Sequence, residues 1–197
     1  MSFTVITKTY KLPDVCESEA LRYAGCREGD PAMAELLKNA LQKTEAGKDH
    51  RVCYCVLPVS IHKNVCDLGA FSVKSRALAK NLTGCNEVIL FAATVGVEFD
   101  RLIARQMLIS PAEAIMLDAV GTERVEALCD CFCEDMEKEL GKKLAPRFSP
   151  GYGDLDIDCQ NTVCEVLGTA KAIGVTVSDS IMLSPAKSVT AFVGIKE

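Results

Sequence analysis

The chain has 197 residues, 49% of them hydrophobic and 25% charged, with no Trp and a formal net charge of −5. That length is enough to bury a sizeable core without metal or disulfide staples, and the composition is that of an ordinary globule. The acidic balance excludes non-specific nucleic-acid binding, which needs a basic face, and no apolar run approaches the roughly 20 residues of a transmembrane helix. Met1-Ser2-Phe3 does not open a secretory signal, so a cytoplasmic protein is expected.

Phe3 to Tyr10 reads as a short strand, and Ser18 to Tyr23 as a helix. Asp30-Pro31 starts a second helix, with Asp as N-cap and Pro at the first position, running to about Glu45 and ending at Ala46-Gly47. Val52 to Ile61 alternates as a strand broken near Pro58, and Phe71-Ser72-Val73 is a second extended piece. A helix from Ser75 to Leu82 stops at Gly84. Glu87 to Thr94 is apolar on both faces, as a central strand should be, and Val97 to about Leu108 is helical. Between them, Thr94-Val95-Gly96 reads as a structural turn rather than an anion site.

Ser110-Pro111-Ala112-Glu113 is a capping box that opens a long helix. On it Val125, Leu128, Phe132 and Met136 form one apolar stripe. Gly121 interrupts this helix at a cost of about 1 kcal/mol against Ala, and close packing is the expected reason. Asp158 to Ala172 reads as one helix with Gly174 at its end, and Val175-Thr176-Val177 and Val189 to Ile195 read as strands that close the sheet. The expected fold class is α+β: a single domain spanning residues 1–197, with a mixed, largely antiparallel sheet packed with helices.

Eleven cysteines is an odd number and a large one, and without an export signal it argues against a disulfide framework. Cys129 and Cys133 fall on one helix face and Cys131 does not, while Cys53 and Cys55 share one side of a strand. Buried, reduced packing groups are the expectation. The only histidines are His50 and His62, so no catalytic dyad or zinc site assembles, and no metal is assigned.

The stretch richest in chemistry is Arg147-Phe148-Ser149-Pro150-Gly151-Tyr152-Gly153-Asp154. Arg147 offers a planar fork of donors for a carboxylate. Pro150-Gly151 turns the chain tightly, and Gly lets a ligand approach. Tyr152 presents an aromatic face that attracts a sulfonium or ammonium group. The plainer reading is a surface turn with a solvated Arg and a Tyr packed on the sheet.

This stretch resembles the Arg-x-x-x-Gly-Tyr loop with which the reactivation domain of cobalamin-dependent methionine synthase binds S-adenosylmethionine (AdoMet). The resemblance continues through the helix after the loop, through Ile173-Gly174-Val175-Thr176, and through Met182-Leu183-Ser184-Pro185-Ala186-Lys187-Ser188-Val189-Thr190 as a strand. It covers roughly residues 86–196, with 1–85 matching loosely. It implies that Arg147 holds the ligand carboxylate, that Ser149 and Gly151 make close backbone contacts, and that Tyr152, the one catalytic assignment, faces the corrin. Arg124-Val125-Glu126-Ala127-Leu128 matches the helix whose glutamate contacts AdoMet, which makes Glu126 the partner of the ligand's positive end, with Asp118 a weaker candidate.

The implied role is that of a stand-alone activation protein, an accessory or subunit of a vitamin B12-dependent methyltransferase of methionine biosynthesis. It would position AdoMet for reductive methylation of a cobalamin supplied by the partner protein, with a flavodoxin, ferredoxin or reductase as electron donor. The sequence departs from the pattern in three places. Gly153-Asp154-Leu155-Asp156 replaces Pro-Ala-Cys-Pro, Val193 stands where a ligand-contacting tyrosine is expected, and the early aspartate has no counterpart. Small stand-alone relatives of the domain share the Gly-Asp form. The rival readings are a docking module for a corrinoid protein that does not use AdoMet, and a cysteine-based metal or redox protein.

Overall fold

The computed structural model describes residues 3–11, 13–26, 29–44 and 50–197. Its centre is a four-stranded antiparallel sheet of β1 (Ile6–Tyr10), β2 (His50–Pro58), β6 (Cys85–Thr94) and β9 (Ser188–Lys196), in the order β1-β2-β6-β9. The long apolar strand expected to be central is β6, paired along its length with β2 on one side and β9 on the other. Strand alternation divides the core into two layers. Cys53, Cys55, Val88, Leu90, Ala92 and Phe192 face one side. Val52, Tyr54, Ile89, Phe91, Ala191 and Val193 face the other.

The second face is covered by α5 (Pro111–Leu140). Half of the expected capping box is present: Ser110 Oγ accepts from the Glu113 amide at 3.4 Å, with Pro111 in the first turn, but the Glu113 carboxylate accepts from Lys43 and Gln106 rather than from the Ser110 amide, which donates to the Gln106 carbonyl. From the expected stripe, Leu128, Phe132 and Met136 reach the sheet, with the Phe132 ring 4.8 Å from Phe91 and 5.2 Å from Tyr54. Burial of each such side chain stabilises by about 1.5–3 kcal/mol. Val125 turns instead toward a third apolar cluster, formed where α1 (Glu17–Tyr23), α2 (Pro31–Thr44) and α4 (Val97–Met107) pack on the first half of α5. Asp30 caps α2 as expected, its carboxylate accepting from the Ala32 amide at 2.9 Å. The expected end of that helix at Glu45 to Gly47 lies outside the described residues.

Gly121 lies where α4 packs on α5. A Cβ there would come 2.7 Å from the Phe99 ring and 3.1 Å from the stem of Lys187, so close packing does account for the glycine. Thr94 Oγ1 accepts from the Gly96 amide at 3.1 Å, which makes the end of β6 the structural turn expected.

The first face is covered by α3 (Arg76–Asn81), α6 (Cys159–Leu167) and a small sheet of β3 (Ser60–His62), β4 (Val65–Asp67) and β5 (Ser72–Lys74). Three expectations need correction here. The helix read as Asp158 to Ala172 is two, α6 and α7 (Thr169–Ala172), because Gly168 adopts the left-handed conformation at φ 56° and ends the first. The segment Val175 to Val177 does not close the main sheet. Instead β7 (Thr176–Val177) pairs with β8 (Leu183–Ser184) in a separate two-stranded ribbon. Met182 to Thr190 is accordingly not one strand but β8, a connection, and the start of β9.

Candidate functional site

After α5 the chain turns back along the outer edge of β9. Lys143 accepts at its carbonyl from the Lys196 amide at 2.9 Å, Ala145 donates to Gly194 at 2.8 Å, and Phe148 exchanges both backbone bonds with Phe192 at 2.9 and 2.8 Å. Residues 143–148 thus form an irregular fifth strand. Phe148 packs into the core layer away from α5. Its neighbour Arg147 reaches α5, as the alternation of an extended chain requires.

Arg147 lies against the helix through one nitrogen. Its Nη2 is 2.9 Å from Glu126 Oε2 and 2.9 Å from Asp130 Oδ1. Glu126 and Asp130 are one helical turn apart and so share a face. The pairing of Arg147 with Glu126 brings together two residues singled out from sequence. Asp130 is not among those residues, although its position four residues after Glu126 is the signal that could have found it. A guanidinium carries five N–H donors, and both of these ion pairs engage Nη2. The Arg147 side chain is 24% exposed and that of Asp130 66%.

Beside this group lies a cleft of about 540 Å³, within the usual range for small-molecule sites, lined by Asp130, Cys133, Glu134, Glu137, Arg147 and Lys196 among others. Glu137 is committed to structure: it accepts from Lys143 at 2.8 Å and from the Leu144 amide at 2.9 Å. Cys129 and Cys133 flank the arginine, but burial outweighs its charge. The Cys133 thiol is pushed up to about 11, and Cys129, wholly enclosed, is raised as well. Burial of this kind suits the packing role expected of these thiols.

The loop beyond Phe148 is a tight turn. The Tyr152 amide donates to the Ser149 carbonyl at 3.1 Å across Pro150-Gly151, and Gly151 has φ 88°, the type II arrangement that requires glycine at the third position. The Gly151 amide donates to Leu155 at 3.0 Å, so part of the backbone at Ser149 and Gly151 is engaged within the loop itself. Tyr152 is 62% exposed and meets Phe148 edge-on at 6.2 Å. The structure thus brings Arg147 to Glu126, while Tyr152 stands over Phe148.

Asp154 accounts for the departure of the loop from the methionine synthase pattern. Its carboxylate accepts from Ser75 Oγ at 2.6 Å and from the amides of Arg76 and Ala77 at 2.9 and 3.0 Å, fastening the loop to the start of α3. Asn81 adds a bond to the Pro146 carbonyl at 3.0 Å. The hydroxyl of Ser75, with the amides of Ala77 and Arg76, holds the Asp154 carboxyl down at about 2.

The other candidates lie apart. Asp118 pairs with Lys187 at 2.8 Å, and the same ammonium donates to Thr122 at 2.9 Å. Val193 is fully buried against α5 and lines no open surface. Among the described residues, no three His, Cys, Asp or Glu side chains are grouped to hold a metal ion, and no helix is long and apolar enough to cross a membrane.

No protein-family model matches the sequence, and no curated protein matches it. Among solved structures, the crystal structure of the MetH reactivation domain bound to AdoHcy is similar with a TM-score of 0.71 and 15% identity, over 98% of this chain and 78% of that one. With its antiparallel sheets packed against helices, this chain has the fold of the MetH reactivation domain.

Proposed function

We propose that this protein binds AdoMet and supports the reductive methylation of cob(II)alamin carried by a separate corrinoid-dependent methyltransferase, methionine synthase foremost. The observation that carries the reading is Arg147 held against Glu126 at the edge of a cleft, on a fold shared with a domain solved with AdoHcy. Arg147 would take the ligand carboxylate with donors other than Nη2. Glu126 would face the ammonium or sulfonium, and Tyr152 would present its ring to the corrin, with Ser149 and Gly151 shaping the backbone between them. AdoMet supplies an electrophilic methyl group for cobalt that an external flavodoxin, ferredoxin or reductase has reduced by one electron. The protein's contribution is to position the ligand, and the site needs no acid, base or nucleophile of its own.

The burial of Val193 and the engagement of Arg147 with two carboxylates favour a second reading, a module that docks on a corrinoid protein without AdoMet. Titration calorimetry separates the two. Saturable AdoMet binding by the wild type, lost in Arg147→Ala, supports the first. Absence of AdoMet binding with and without a corrinoid protein leaves the second. The reaction class is tested by adding protein, AdoMet and a strong reductant to a Co(II) corrinoid protein, where the methyl–cobalt absorption spectrum should appear only when all are present.

A further inference from the structure

The two halves of the Arg147–Tyr152 loop stand on different elements. Arg147 belongs to the part that pairs along β9, and its guanidinium rests on α5 through Glu126 and Asp130. That pairing stops at Phe148, whose amide and carbonyl both bond to Phe192. Beyond it, the backbone bonds of residues 149–155 run within the loop: Tyr152 donates to Ser149, Gly151 to Leu155, and Leu155 to Tyr152. Such bonds fix the shape of the turn but not its place in the molecule.

Its place is set by α3. The Asp154 carboxylate takes three donors at the start of that helix, Ser75 Oγ at 2.6 Å and the Arg76 and Ala77 amides at 2.9 and 3.0 Å. Gly153 is pressed against the same helix, where a Cβ would come 2.8 Å from the Cβ of Ala77. The helix itself is firmly seated, with Leu78 and Leu82 wholly buried in the core. Tyr152 precedes Gly153 directly. Its ring is 62% exposed and meets one other ring, Phe148 at 6.2 Å, so the backbone that carries it decides where it points.

We infer that Asp154 is a positioning residue: by holding the turn on α3 it sets where Tyr152 stands, and so controls the methyl-transfer step rather than AdoMet affinity. The inference rests on the AdoMet reading above, in which Tyr152 presents its ring to the corrin. In the step concerned, one electron from the external reductant takes Co(II) to Co(I). The cobalt then supplies the electron pair of the new bond to the methyl carbon, and the S–C pair stays on sulfur, giving AdoHcy. Affinity resides on the α5 side, in Arg147 and Glu126, which Asp154 does not touch. An interaction that acts only on the reacting geometry lowers the rate without weakening the bound ground state. Leu155 remains buried in the core beside Asp154, so loss of the carboxylate frees the aim of the turn without unfolding the domain.

The test compares wild type with Asp154→Ala, Asp154→Asn and Gly153→Ala on samples matched by circular dichroism and thermal melting. Fluorotyrosine placed at the four tyrosines reports the ring by 19F NMR, with the Tyr152 signal assigned through Tyr152→Phe. That signal should narrow and move in Asp154→Ala and shift in Gly153→Ala, while the other three stay in place. Calorimetric AdoMet affinity should stay within about twofold of wild type in Asp154→Ala. Methyl–cobalt formation from a Co(II) corrinoid protein, reductant and saturating AdoMet should slow about tenfold in Asp154→Ala. Asp154→Asn keeps an acceptor oxygen and should recover part of that rate. A Tyr152 signal unmoved in Asp154→Ala, an unaltered rate, or affinity and rate falling together overturns the inference while AdoMet binding by the wild type stands. If the wild type binds no AdoMet, the AdoMet reading fails first and takes the positioning role with it.

Discussion

Replacing Gly121 by Ala sets two effects of opposite sign against each other in the middle of α5. Helix propensity favours Ala by about 1 kcal/mol. Against this, the new Cβ would lie 2.7 Å from Cε1 and 3.0 Å from Cδ1 of Phe99, and 3.1 Å from Cγ of Lys187. The Phe99 ring is enclosed among α1, α2, α4 and α5 and has no solvent to swing into. Lys187 is tied at its ammonium to Asp118 and Thr122, so its stem is not free to move aside. Overpacking of this kind costs about 1–3 kcal/mol, so Gly121→Ala should destabilise by roughly 1 kcal/mol, up to about 2. In urea, with a slope of about 2 kcal/mol/M, the midpoint should fall by about 0.5–1 M with the slope unchanged. Adding Phe99→Leu should recover part of the loss, a coupling expected only of residues in contact. A variant more stable than wild type by about 1 kcal/mol would show that the ring yields and that the close approach does not explain the glycine.

Phe132→Ala removes a fully buried ring packed on Phe91 and Tyr54, and should cost about 3–5 kcal/mol in chemical denaturation. The Asp154 carboxyl is lowered from 3.8 to about 2, so its fastening of the loop is complete above pH 3.8 and is lost as pH falls toward about 2. Asp154→Ala should abolish that acid transition and speed hydrogen exchange at the Arg76 and Ala77 amides, whereas Asp154→Asn, which keeps an acceptor, should protect them better. Thiol labelling at pH 7 should modify exposed Cys16 first and spare Cys53, Cys55, Cys66 and Cys129 until unfolding. Rapid labelling of Cys133 would mean that Arg147 outweighs burial at that site.

The parts of the fold legible in the sequence are those with long periodicity or strong punctuation. The stripe of α5, its Ser110-Pro111 start, the Asp30-Pro31 start and the doubly apolar β6 each spread their signal over several residues. β4 has three residues, too few to show a period, and the small sheet around it is only half visible as a result. Residues 143–148 pair along β9 but contain Pro146 and no clean alternation, so nothing local announces a strand. Gly168 lies inside an otherwise continuous helical pattern, where its left-handed conformation is set by the turn into α7. Arg147 and Glu126 are both visible from sequence. Asp130 and the Ser75–Asp154 fastening are not, because each depends on which surfaces tertiary packing brings face to face.

The strand-like return of residues 143–148 also protects the protein from itself. Without it, β9 would be the outer strand of the sheet, and Val189 to Ile195 is apolar but for Thr190, uncharged and free of proline. Such an edge is a template for pairing with other chains, and covering it is a common defence. Arg147 therefore sits on the cover of an aggregation-prone edge. Any rearrangement that admits a ligand or partner has to spare the backbone up to Phe148 and fall on the turn beyond it. The segment that carries Arg147 is thus also the one that keeps the edge of β9 covered.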